Sequence, residues 1–291
     1  MKRFPLYTLI WLTLQAFPFP AGAVDSGVYT LVDGDARVLR GVLWHRLVPG
    51  AQLLAGDVID VPDKAQIQVE LARGGALSLT GPAGALAVSL PPADAKPGSA
   101  VEWFLARGWA KAQAQPKGPP LRLRSSNATV ELGDGVAVAE VDAARTRIFI
   151  ESGIAKVSVP VARGKEAPAR EAREGQTWSR VGDRAFTVDE HIDRAFVAAM
   201  PRGLRDALPR LAARFQGSAP ALAAGPAISF AEAEPWLASR ERRSFIRRFT
   251  PRLADPLFRD AVASHAAAYP EWGRSLHPEK HSPDAAPAPQ S

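Results

Sequence analysis

The sequence predicts a mainly β protein, an antiparallel sandwich or roll, followed by a smaller α-helical C-terminal region. Three observations lead there. Apolar residues alternate with period two from Val28 to about Val188, and glycine, proline and aspartate interrupt that alternation at short intervals. After about Asp189 the apolar spacing lengthens to three and four. With 291 residues, 46% hydrophobic and 23% charged, the chain can bury one large core or two modest ones.

The first element is an export leader. Met1-Lys2-Arg3 is basic, Phe4 to Phe17 is mostly apolar, and Pro18 and Pro20 close the stretch before Ala21-Gly22-Ala23. A charged start, a short apolar run and a small-residue site describe a signal peptide over residues 1–23, with cleavage after Ala23 and export to the periplasm. The run is too short for a transmembrane helix, and no later segment reads as one. The absence of Cys removes disulfides, thiolate zinc sites, iron–sulfur clusters and cysteine nucleophiles. A net charge of +6 is mild, and only eight of the 36 basic residues are lysine, so nothing singles out nucleic acid as a partner.

Residues 66–71 show the strand pattern best. Ile67, Val69 and Leu71 share one face and Gln66, Gln68 and Glu70 the other, before Gly74-Gly75 turns the chain. Leu77 and Leu79, then Leu86, Val88 and Leu90, repeat the alternation. Pro91 to Gly98 and Gln113 to Pro120 read as loops around an element from Val101 to Lys111. Further strands are expected at Leu121 to Arg124, Ala128 to Leu132, Val136 to Val141, Arg147 to Ile150 and Ala155 to Val161. Leu31-Val32-Asp33-Gly34 and Leu132-Gly133-Asp134-Gly135 suggest two related halves, each with an Asp-Gly turn.

Over residues 189–277 the pattern is helical. Leu204, Leu208, Leu211 and Phe215 would share a helix face, although Pro209 interrupts it or starts a second short helix. Gly217 to Ala227 reads as a connector. Ser229 with Glu232 forms a capping box, and Asp255-Pro256 opens a helix expected to run through Ala268. Residues 278–291, rich in Pro, Ala and Ser, read as a disordered tail.

The order of turns and strands from 28 to 188 resembles the FecR domain, a periplasmic module. Leu53 with Gly56-Asp57-Val58-Ile59 resembles its opening turn, and Ile67 to Leu79 around Gly74-Gly75 its next hairpin. Leu105 to Gly108-Trp109 resembles its re-entry into a strand. Arg124 to Val141, Ile150-Glu151-Ser152-Gly153 to Val159 and Glu174-Gly175-Gln176 resemble its second half. Ser125-Ser126 and Gly133-Asp134 depart from the family's usual threonine-proline and glycine-threonine. The signalling members carry a cytoplasmic anti-sigma segment before a membrane helix, whereas only Met1 to Arg3 precede the apolar run here, so direct sigma-factor control is not expected. The resemblance implies a β-rich envelope module used for contacts, with no catalytic residues to transfer.

Residue chemistry agrees. No nucleophile elbow, phosphate loop, zinc helix, EF-hand or dinucleotide fingerprint is present, so neither catalysis nor a cofactor is expected. A carboxylate pair assembled by the fold would leave no local trace. His277, Glu279 and His281 form a compact cluster of metal-ligand types, but Pro278 opposes the helix that would align them. His45, His191 and His265 stand alone. Arg240, Arg242, Arg243, Arg247, Arg248 and Arg252, with Arg259 beyond, are the candidate contacts for an anion or partner, because guanidinium forks suit carboxylate and phosphate. The plain alternative is a solvated helix face backed by Phe245, Phe249 and Leu253. The aromatics Trp236, Phe245, Phe249, Phe258, Tyr269 and Trp272 suit a compact core or a carbohydrate platform. The functional expectation is an exported, non-enzymatic envelope module that binds a protein partner or takes part in periplasmic sensing. The alternative is a binder of peptidoglycan or another envelope polysaccharide, and the partner expected is thus an envelope protein or an anionic glycan.

Overall fold

The computed structural model describes residues 27–92, 94–96, 98–161, 166–217 and 219–276. The leader expected over residues 1–23, the tail expected over residues 278–291 and the His277–Glu279–His281 cluster lie outside the described residues. The β architecture follows from four long strands, each bent across its middle: β6 (Ala76–Ser89), β7 (Val101–Ala114), β9 (Thr129–Val141) and β10 (Arg145–Ser158). Each gives one half to a first layer and the other half to a second, so a single hydrogen-bonded sheet folds over on itself.

The first layer runs β1 (Gly27–Asp33), β5 (Gln66–Leu71), then the halves of β6, β7, β9 and β10, then β12 (Thr177–Val181) and β13 (Thr187–Asp189). The second runs β14 (Ala224–Ala227), β3 (Leu43–Arg46), β2 (Arg37–Arg40), β4 (Val58–Val61), the other halves of β6 and β7, β8 (Leu121–Arg124), those of β9 and β10, and β11 (Arg170–Arg173). Among the described residues all strand pairings are antiparallel except β7 with β8. That parallel pair is joined by only residues 115–120, because the fold in β7 has already returned the chain to its starting end. An unfolded strand would need a crossover of about a dozen residues.

Alternation along the strands sorts side chains between three apolar clusters. Trp103, Leu105, Ile59, Ala85, Ile148 and Ile150 point inward to the main core between the layers. Their neighbours Phe104, Val58 and Leu86 point outward from the second layer, and Val138 and Phe149 outward from the first. Each outer face therefore carries an apolar patch, and a helical segment covers it. On the first layer sits α1 (Arg194–Ala199), whose Phe196 meets Trp109 at 5.0 Å and Phe149 at 5.9 Å, followed by α2 (Arg202–Arg205). On the second sit α3 (Phe230–Leu237), α4 (Arg242–Phe249), α5 (Pro256–Ser264) and α6 (Gly273–Leu276), joined by 3-10 turns. Among the described residues no helix is long and apolar enough to cross a membrane.

The fold class is as the sequence predicts, with five differences of detail. Residues 128–132 with 136–141, and 147–150 with 155–161, are not separate strands but halves of β9 and β10. At the bends the pairing skips Gly133 on β9 and Glu151 on β10, so inward positions change from even to odd numbering. A strand that changes face reads as two strands. For the same reason Asp134-Gly135 is a bulge inside a strand, while Asp33-Gly34 is a turn, and the two four-residue matches are not equivalent.

The helix expected from Leu204 to Phe215 stops at Arg205, and only Ala212–Phe215 forms a 3-10 turn. Pro209 and its effect on the residue before it disfavour helix there, and the intervening backbone is used otherwise. It crosses β5, where Gln66 donates to the Gly203 carbonyl at 3.0 Å, Gln68 donates to the Pro209 carbonyl at 3.0 Å, and Glu70 accepts from the Leu211 N–H at 2.6 Å. Gln68 and Glu70 are thus 3% and 4% exposed. The polar face of β5 is covered by backbone whose hydrogen bonds it satisfies. The helix from Pro256 ends at Ser264 rather than Ala268, with a 3-10 turn following, and part of the Gly217–Ala227 connector is strand β14.

Candidate functional site

The outward face of the second layer begins the site. On β2 and β4, Arg37 and Asp60 are directly paired across the strands, and Trp44 on β3 presents its ring beneath Arg37, 4.1 Å from the guanidinium carbon. Arg107 enters from the bend of β7, opposite Gly84. Above them α3 is positioned by the capping box. Ser229 accepts from the Glu232 N–H, and the Glu232 carboxylate accepts from the Ser229 N–H at 2.9 Å. Between α3 and the sheet lies a cleft of ≈ 660 Å³, closed at its sides by Ser126 and Ala143 from neighbouring turns.

Its charges form one chain. Asp60 accepts from Arg37 Nε at 2.9 Å and from Arg107 at 2.9 Å, and Arg37 reaches Glu232 at 2.8 Å. Burial opposes ionisation of Glu232, but the Ser229 N–H and hydroxyl, and then Arg37, outweigh it and hold the carboxyl below its usual range. Around these groups Ala106, Ala231, Pro235, Ala238 and the edge of Trp236 supply an apolar wall.

Two further carboxylates bracing the helices are shifted the same way. Glu271 is lowered by its hydrogen bond from Arg242, and Asp255 by that from Arg252. All three bind protons less readily in the folded than in the unfolded chain. Their contribution is therefore complete above the ordinary carboxylate pKa of about 4 and is lost as pH falls through the lower folded values. The thermal midpoint is expected to hold between pH 6 and 5 and to drop below about pH 4, less steeply in Glu271→Gln. A Glu271→Gln profile superimposable on that of the parent would contradict this assignment.

The structure disperses the arginine cluster. Arg248 is turned inward and donates to the carbonyls of Leu39, Gly41 and Gly56 at 2.5–2.6 Å, fastening α4 to the β2–β3 turn. Burial pulls its pKa below the usual guanidinium value, against the opposing pull of Asp57. Arg242 binds Glu271 and the Ala268 carbonyl and lies over Tyr269, and Arg252 binds the Ile228 carbonyl and Asp255. Arg240 is exposed and donates to the carbonyls of Ser126 at 3.4 Å and Val161 at 3.2 Å, which places it next to Ser126 and Ser239, two residues that line the cleft. Arg243, Arg247 and Arg259 are exposed. Phe245, Phe249 and Leu253 form the buried stripe behind the basic face. Trp236, Phe245, Phe249, Phe258, Tyr269 and Trp272 are core.

His265 stacks on Phe230, and His45 lies on β3 with its Nδ1 unpaired. Among the described residues no group of three or more His, Asp or Glu side chains could hold a metal ion. Of the cleft residues, sequence reasoning singled out Glu232 as a helix cap, Trp236 as an aromatic and Ser126 as a departure from the FecR pattern, with Arg240 beside the cleft as a basic residue. It missed Arg37, Trp44, Asp60 and Arg107. These come from four strands and share no local pattern, so only the strand register could have revealed them.

No protein-family model and no curated protein matches the chain. Two crystal structures of a putative anti-sigma factor from Parabacteroides distasonis are similar to it, at 13% and 14% identity, each with a TM-score of 0.39. Each match covers 48% of this chain and 63% or 62% of the other, so the chain spans less than two thirds of their length.

Proposed function

We propose that the protein is an exported, non-enzymatic module of the periplasm that binds a segment of a protein partner, as a contact or sensing element, in the cleft between the second layer and α3. The observation that carries this reading is the cleft itself: preformed, ≈ 660 Å³, apolar-walled and crossed by a few convergent charges, as ligand sites are. The leader and the FecR-like order of motifs support the compartment and the contact role. The electrostatics favour binding over hydrolysis. Asp60 and Glu232 both serve Arg37, and Glu232 is shifted toward ionisation, whereas a general acid needs a raised pKa. A polysaccharide is the weaker fit, because Trp44 and Trp236 are 3% and 6% exposed and offer no open ring for a sugar to stack on.

A photo-crosslinking amino acid at the exposed cleft position Ala238, in the full chain in intact cells, tests the reading, with the exposed position Lys117 as a control away from the cleft. The expected result is a protein adduct of discrete mass from position 238 and none from 117. No adduct, an adduct from both positions, or one removed by glycan-degrading enzymes would overturn it.

A further inference from the structure

We infer that the cleft selects an acidic peptide, taking a ligand carboxylate on Arg107, with the charge of Arg240 nearby, and an adjacent apolar side chain against Pro235 and the edge of Trp236; this deepens the binding-module reading and rests on it. The two arginines inside the cleft are not equivalent. Arg37 is committed, with Asp60 on Nε, Glu232 on a terminal nitrogen and the Trp44 ring against its face. Arg107 is 55% exposed and gives one terminal nitrogen to Asp60 Oδ1. Asp60 keeps Arg37 on its other oxygen. Arg107 can therefore exchange Asp60 for an incoming carboxylate and leave no buried charge unpaired.

The charge count agrees. Arg37 and Arg107 are balanced by Asp60 and Glu232, and Arg240 adds a third guanidinium beside the cleft, where its bonds among the described residues go to the carbonyls of Ser126 and Val161. One ligand carboxylate restores neutrality. Planar guanidinium forks bind carboxylate in bidentate fashion, which fixes the peptide's direction as well as its charge. The remaining wall is methyl, pyrrolidine and indole, from Ala106, Ala231, Ala238, Pro235 and Trp236, and it suits an apolar side chain next to the acid.

Fluorescence anisotropy with labelled hexapeptide pools tests this. One pool has a fixed Leu-Glu centre with random flanks and the other Leu-Gln, both amidated at the C-terminus so that only the side-chain carboxylate differs. The Leu-Glu pool is expected to bind the full chain about tenfold more tightly. Arg107→Gln should remove most of that preference and leave Leu-Gln binding unchanged. Asp60→Asn, which releases Arg107, should strengthen Leu-Glu binding several-fold. Equal binding of the two pools, or a preference that survives Arg107→Gln combined with Arg240→Gln, overturns the inference. A preference that appears only when the C-terminus is left free assigns the site to a terminal carboxylate and overturns the side-chain assignment. Failure of both pools while the position-238 adduct still forms overturns the acidic-peptide assignment alone, whereas loss of the adduct removes the binding-module reading beneath it.

Discussion

Replacing Asp57 by alanine is expected to lower stability by about 3 kcal/mol, measured by urea or thermal unfolding. Asp57 is 2% exposed and gathers four donors: the Tyr29 hydroxyl at 3.2 Å, Arg40 Nε and a terminal nitrogen at 2.9 Å each, and the Leu54 N–H at 3.0 Å. These come from β1, β2 and the loop before β4, so one carboxylate ties three separate segments together. Removing it strands a buried hydroxyl and a guanidinium. Arg40 keeps the Gln52 carbonyl and is a quarter exposed, which limits the loss to the lower part of the range for broken buried pairs. A second readout is tyrosine titration. Burial, then the charge of Asp57, raises the Tyr29 pKa well above its ordinary value. That contribution is complete below the ordinary pKa of about 10 and is lost as pH rises through the higher folded value. Without Asp57 the hydroxyl should ionise more easily. A loss below about 1 kcal/mol would show that the cluster merely occupies space.

Gly135→Ala should cost about 3 kcal/mol, while Gly133→Ala, two residues away, should cost less than about 0.5 kcal/mol. Gly135 has φ +107°, and a Cβ there would stand 2.2 Å from the Ser152 carbonyl oxygen on the facing bulge. Neither can move without unpairing β9 from β10 at the bend, where both strands pass from one layer to the other. Gly133 has open space around its Cβ position. Equal costs at the two positions, measured by the same unfolding assay, would mean that the bend tolerates a side chain and does not depend on glycine.

These two residues also show what each level of description makes legible. Gly56-Asp57-Val58-Ile59 stands out in the sequence as part of a resemblance to an opening turn, and its aspartate proves to be a buried anchor. Gly133-Asp134-Gly135 also stands out, but as a hairpin turn, because local chemistry cannot distinguish a turn from a bulge when both need glycine. Pro209 warned of a break in the helix, yet nothing local showed that the freed backbone would cover Gln68 and Glu70.

By itself the sequence determined the β class, the change to helix after Asp189, the caps at Ser229 and Asp255, and the apolar stripe of Phe245, Phe249 and Leu253. Each depends on periodicity or on contacts within one turn, which short-range sterics and hydrogen bonding impose wherever the segment lies. Only the tertiary structure decided that one sheet folds into two layers, that Arg248 faces inward while Arg240 stands at a cleft, and that Arg37, Asp60, Arg107 and Glu232 form one charged chain. Those outcomes depend on strand register across almost 200 residues of chain. The backbone pairing energy is nearly the same for neighbouring registers, so burial of the alternate face selects among them, and that selection exists only once the layers have packed.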